Sequence, residues 1–75
     1  METNRILLRG IGDTIHERRQ ALRITQPMLA ELAGISVDTL YRIEKGDANP
    51  TILLMDKLAS VLGLELSLVV KKIKN

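Results

Sequence analysis

Positions 37, 38, 41, 42 and 45 come round to one side of a helix at this spacing. They hold Val37, Asp38, Tyr41, Arg42 and Lys45. That set suits the reading of base edges. An arginine such as Arg42 pairs bidentately with guanine, a valine packs on the thymine methyl group, and a carboxylate such as Asp38 accepts from the cytosine amino group. Thr39, Tyr41 and Lys45 are placed to touch phosphates, which set register rather than sequence. Ser36 stands at the head of the same helix. Gln26 opens the preceding one, where a side chain and a free amide can both aim at a phosphate. Asp38 has a second reading, as a charge that favours the positive end of its own helix. Arg42 and Lys45 would be ordinary on any solvated helix face. The case for them rests on the elements beneath.

Those elements are two short helices within Thr25–Gly46. Leu29, Ala30 and Leu32 form the inner side of the first, and Leu40 and Ile43 that of the second. Ala30 is small enough to let the helices cross closely. Gly34 suits a left-handed cap, and Ile35 plugs the turn into the core. Thr25 and Ser36 are N-caps. Pro27 falls in a first turn, where no intrahelical donor is lost. Gly46, followed by Asp47, Ala48, Asn49 and Pro50, ends the second helix.

The stretch TQPMLAELAGISVDTLYRIEKGDANP resembles the helix-turn-helix of the lambda and Cro-type (XRE) repressors. The matching positions are Thr25, Gln26, Leu29, Ala30, Gly34, Ile35, Ser36, Leu40, Ile43, Glu44, Gly46 and Pro50, and the likeness runs from about Ile11 to Leu64. It implies an all-α, four-helix DNA-binding domain. It also implies an ion pair between Arg19 and Glu44, and an inward-facing glutamate wants such a partner on physical grounds. Three residues depart from the pattern. Met28 stands where a glutamate is usual, which removes a capping box. Arg23 replaces a common glycine, so it takes either an unusual backbone conformation or a different turn. Val37 is often polar in relatives and cannot hydrogen-bond a base, which shifts base reading onto Arg42.

The chain is expected to be a single domain, residues 1–75, with a helical core over 11–62, the helix-turn-helix over 25–46 and a C-terminal strand over 64–71. The first helix is expected from about Gly12 to Leu22, with Ile11, Ile15 and Leu22 facing in and Gly10-Ile11-Gly12 as its approach. The fourth begins after Pro50, is capped by Thr51 and ends near Leu62-Gly63. Its inner face is Ile52, Met55, Leu58, Ala59 and Leu62. Leu53, Leu54 and Val61 are surplus apolar residues on that helix, which points to an interface.

LELSLVV, residues 64–70, alternates with period two and is followed by Lys71, Lys72 and Lys74, the pattern of a strand. A strand needs a partner for its backbone. Residues 5–9 are one candidate and the same strand of a second copy is the other. The second copy is the reading adopted. Leu54, Val61, Leu64, Leu66, Leu68 and Val70 then form the dimer interface. A two-fold dimer suits a palindromic operator with half-sites about 34 Å apart. A helix-turn-helix followed by LELSLVVKK is most similar to the HipB-type antitoxins. That resemblance implies an autorepressor that also binds a HipA-like toxin. A stand-alone prophage repressor or a restriction–modification controller is the nearest rival. A different class of reading is a protein-interaction module using Met28, Leu53, Leu54 and the strand edge.

Composition narrows the field. The chain has 75 residues, 45% of them hydrophobic, with Tyr41 the only aromatic, so the core must be aliphatic. It has no cysteine, which excludes disulfides, thiol catalysis and cysteine zinc sites. No apolar run approaches a membrane span and the N-terminus is too polar for a signal peptide, so a cytoplasmic location is expected. His16 is the single histidine and reads as a surface residue beside Glu17. No catalytic triad, phosphate-binding glycine loop, metal cluster or cofactor motif is visible. A net charge of +2 means that nucleic-acid affinity must come from a local cluster. One tyrosine offers little for stacking unpaired RNA bases.

Overall fold

A computed structural model describes residues 2–71, with side chains from residue 4 onward. Four helices follow one another: α1 Glu2–Ala21, α2 Gln26–Ala33, α3 Val37–Lys45 and α4 Ile52–Val61. The fold is all-α, and no strand forms among the described residues. α3 packs on α1 and α2, and α2 also packs on α4. Leu29, Leu40, Ile43, Leu58 and Leu62 are fully buried where they meet. Ile15, Ala30 and Ala33 complete this wholly aliphatic cluster. Ile11, Ile35, Leu54, Met55, Val61 and Leu64 lean on it half-buried.

α1 starts ten residues before the expected Gly12. The glycines at 10 and 12 suggested a loop, since each weakens a helix by about 1 kcal/mol relative to alanine. Gly12 instead lies directly against the backbone of α3. A Cβ there would lie 2.5 Å from the Ile43 carbonyl oxygen and 2.6 Å from that of Glu44. Absence of a side chain lets the two backbones touch, and that contact offsets the propensity lost. Residues 5–9 are therefore helical. They cannot serve as a strand partner for the C-terminal segment.

The turns are built from caps. Thr25 Oγ1 accepts from the Met28 amide at 3.2 Å, Ser36 Oγ from the Thr39 amide at 3.0 Å and Thr51 Oγ1 from the Leu54 amide at 3.1 Å. Gly34, at φ +71°, closes α2 with a left-handed cap. Arg23 takes φ +60° at the end of α1, the unusual conformation of the two alternatives. Its amide donates to the Gln20 carbonyl and that of Ile24 to the Arg19 carbonyl.

Several expected core positions lie outside the core. Leu32 and Leu22 are exposed, because α2 meets its neighbours through Leu29, Ala30 and Ala33, and α1 is already turning at Leu22. Ile52 is 75% exposed in the first turn of α4, ahead of the residues that reach the core. The segment after α4 is not a strand. A strand exists through its ladder, and the single chain supplies none. Leu66, Leu68 and Val70 stand exposed. Lys71 is exposed too, while Lys72 and Lys74 lie outside the described residues.

Candidate nucleic-acid interface

α3 divides cleanly along its length. Leu40, Ile43 and Glu44 are buried. Ser36, Val37, Asp38, Tyr41, Arg42 and Lys45 are exposed on the other side, with Thr39 half-buried between them. Ser36 also donates its hydroxyl proton to Thr39 Oγ1 at 2.8 Å, so both hydroxyls are engaged in holding the first turn. Asp38 lies in that turn and Arg42 and Lys45 in the last one, each with the sign that suits the helix dipole. Lys45 Nζ stands 5.4 Å from the Tyr41 ring centroid and 3.5 Å from its hydroxyl.

Beneath this face lies a polar cluster built on one carboxylate. Arg19 and Glu44 are only 9% and 7% exposed. Arg19 Nε donates to Glu44 Oε2 at 2.7 Å and its Nη2 to Oε1 at 3.1 Å, a two-pronged pair. Arg19 Nη1 donates to the Ile24 carbonyl at 3.0 Å, which ties the pair to the α1–α2 turn. Two further donors reach Oε1: Gln26 Nε2 at 3.1 Å and His16 Nδ1 at 2.8 Å. The contact with an acceptor-only carboxylate requires the proton on His16 Nδ1. Burial by itself would raise the Glu44 pKa. The hydrogen bonds from Arg19, His16 and Gln26, with the charge of Arg19, outweigh it and hold the carboxyl below its ordinary range.

Arg19 and Glu44 are joined by His16, expected at the surface, and by Gln26, expected to face a phosphate. The structure brings all four to one point. The signal was spacing: His16 precedes Arg19 by three residues, so one glutamate can meet both from the facing helix. Gln26 and Tyr41 border the same shallow depression as His16, Asp13 and Lys45. Three of the candidate phosphate contacts, Gln26, Tyr41 and Lys45, thus share one surface across α2 and α3. No group of histidine, aspartate or glutamate among the described residues is arranged to hold a metal ion.

The residues expected at a dimer interface are dispersed in burial. Leu54, Val61 and Leu64 are half-buried against the chain's own core. Leu66, Leu68 and Val70 are exposed. Leu66 and Leu68 flank a groove shared with Leu7, Leu8, Ile52 and Met55.

A capped helix, a left-handed glycine turn and a second helix whose outer side is bare together define a helix-turn-helix. The chain belongs to the helix-turn-helix family HTH_3, whose model matches residues 15–69. That family is one of DNA-binding regulators, not of enzymes. A protein of Haemophilus influenzae described as an HTH-type transcriptional regulator is 42% identical over 57 residues, which are 76% of this chain and 58% of that protein. The chain thus spans little more than half of that relative. A Methanothermobacter thermautotrophicus protein of the same description is 39% identical over 51 residues, 68% of this chain and 74% of the relative. Among solved structures, the restriction–modification controller protein C.AhdI from Aeromonas hydrophila is similar, with a TM-score of 0.74 and 31% identity over 77% of this chain and 88% of that one.

Proposed function

We propose that this protein is a transcriptional regulator that binds double-stranded DNA sequence-specifically, with α3 in the major groove. The observation that carries the reading is the outer side of α3, where Val37, Asp38, Tyr41, Arg42 and Lys45 are exposed while Leu40 and Ile43 hold the helix to the core. Arg42 pairs with a guanine, Val37 meets a thymine methyl group and Asp38 faces a cytosine amino group. Ser36 and Thr39 stiffen the first turn and, with Tyr41, Lys45 and Gln26, approach phosphates. Gln26 already donates one amide proton to Glu44. Its second amide proton and its backbone N–H at the start of α2 remain for a phosphate.

The working unit is a homodimer on a palindromic operator. The exposed Leu66, Leu68 and Val70, beside the groove holding Leu7 and Ile52, supply the apolar surface for the second copy. The C-terminal segment gains its ladder only there.

The likeness to a restriction–modification controller supports a stand-alone regulator. The antitoxin reading, with a HipA-like toxin as partner, rests on the short tail LELSLVVKK alone. The neighbouring reading frame separates them: a kinase-like toxin beside the gene supports the antitoxin, and a methyltransferase supports the controller.

Selection of bound duplexes from a random pool, at stated salt, tests the central reading. The expected product is a palindrome with half-sites about one helical turn apart. Arg42→Ala should lower affinity for the selected site by about 1–3 kcal/mol and relax preference at one position of each half-site. Unchanged affinity and unchanged preference would show that α3 does not read bases.

A further inference from the structure

The matched family segment begins at residue 15, so the first thirteen residues of α1 lie ahead of it. Two of them, Arg9 and Gly12, lie close against the backbone of α3. The Cα of Arg9 passes so close to the end of α3 that a Cβ on Gly46 would lie 2.9 Å from it. Residues 5, 9, 13 and 16 share one side of α1. Arg5 and Arg9 therefore continue the line that His16 begins, with the exposed Asp13 between Arg9 and His16. Both are exposed, and with Lys45, Gly46, Asp47 and Asn49 they line a cleft just beyond the last turn of α3. Lys45 belongs to two surfaces at once: this cleft and the depression that holds His16, Gln26 and Tyr41. A single exposed track thus runs from the start of α2, past Lys45, to Arg5. The distance from residue 16 to residue 5 along α1 is about 16 Å.

The cleft gathers three cations and one carboxylate, Asp47, in a chain whose net charge is only +2. The guanidinium forks of Arg5 and Arg9 match phosphate oxygens. Gly46 has no side chain to obstruct the cleft. We propose that Arg5 and Arg9, together with Lys45, form a second phosphate-binding site that clamps the DNA backbone beside the C-terminal end of α3. This site rests on the reading that α3 occupies the major groove. It would fix the C-terminal end of α3 on the backbone, next to the point where Gln26 reaches Glu44. Asp47 opposes the phosphate and tempers the grip.

The test is DNA binding by Arg5→Gln/Arg9→Gln, measured against salt on a selected duplex and on a random duplex of equal length. Glutamine keeps helix propensity, and both side chains are exposed. Losing two phosphate contacts should lower the slope of log affinity against log salt by about 2. Between 50 and 200 mM salt the parent should therefore lose about ten-fold more affinity than the variant. Both duplexes should be affected alike, and the sequence preference should not change. Asp47→Asn is the independent arm and should tighten binding to both duplexes. A parent-like slope in the double variant overturns the proposal, and so does a loss confined to the selected duplex. A parent that binds neither duplex overturns the major-groove reading itself.

Discussion

Glu44 is one residue on which three helices depend. It lies in α3, and its carboxylate receives Arg19 and His16 from α1 and Gln26 from α2. Glu44→Gln should cost about 3 kcal/mol at neutral pH, because it leaves a buried guanidinium without its counter-charge. Thermal unfolding measures this directly. The same residue sets a pH dependence. Its folded-state pKa lies below the ordinary 4.5, so the unfolded chain takes up its proton first as pH falls. The stability it confers is whole above about pH 4.5 and is lost as pH drops through the folded-state value. The gap in stability between parent and Glu44→Gln should narrow steadily below that pH. A gap that stays constant into acid would mean that the carboxylate's ionisation is irrelevant. Arg23 gives an opposite sign. Its left-handed φ of +60° strains any residue with a Cβ. Arg23→Gly should stabilise by up to about 1 kcal/mol, read as a rise in melting temperature. At this scale the sequence was informative about pairs and caps. The short polar side chains at 25, 36 and 51 precede apolar runs, and each accepts from an amide three residues on. It is misleading on His16, which reads as a surface residue although it stands three residues before Arg19 and meets the same glutamate, 28 positions away.

The elements were legible where local chemistry and tertiary packing agree. α2, its turn and α3 carry Pro27, Gly34 and Gly46 at the positions their geometry demands, and the apolar spacing is helical. α1 was not legible in its first half. Two glycines argued for a loop, while the contact that makes Gly12 useful lies with the carbonyls of Ile43 and Glu44, far off in sequence. Gly12→Ala tests that contact. The added methyl would meet two carbonyl oxygens at 2.5 and 2.6 Å. Gain in helix propensity is about 1 kcal/mol, and overpacking against backbone costs about 1–3 kcal/mol. Net destabilisation should follow. Gly10→Ala meets nothing within 4 Å and should stabilise instead. If both variants melt alike, the close crossing of α1 and α3 is not a tight constraint. Alternation over 64–70 fits a strand, yet period two alone supplies no partner. Periodicity describes the face a segment can bury, and the ladder must come from elsewhere.

The whole molecule must reconcile a small core with much apolar surface. Ile6, Leu7, Ile52, Leu53, Leu68, Val69 and Val70 are all largely exposed. A 75-residue chain has little apolar area to spare for water. A second copy placed on this surface would recover it and would set the two α3 helices at a fixed spacing. Light scattering on a chain ending at Gly63 should show monomers, and the full chain a dimer. A dimer that survives truncation would move the interface to the exposed residues of α1 and α4. Weak binding by the monomer should accompany the loss, because one copy reads one half-site.

The aliphatic core has an optical corollary. With no tryptophan or phenylalanine, Tyr41 is the only aromatic chromophore, and it lies on the outer side of α3 beneath Lys45. Near-ultraviolet absorption and intrinsic emission of the native protein therefore come from one point on the proposed contact surface, not from the interior. Loosening of the core would pass almost unseen in that signal. Arrival of a nucleic acid at α3 would quench or shift it without any label.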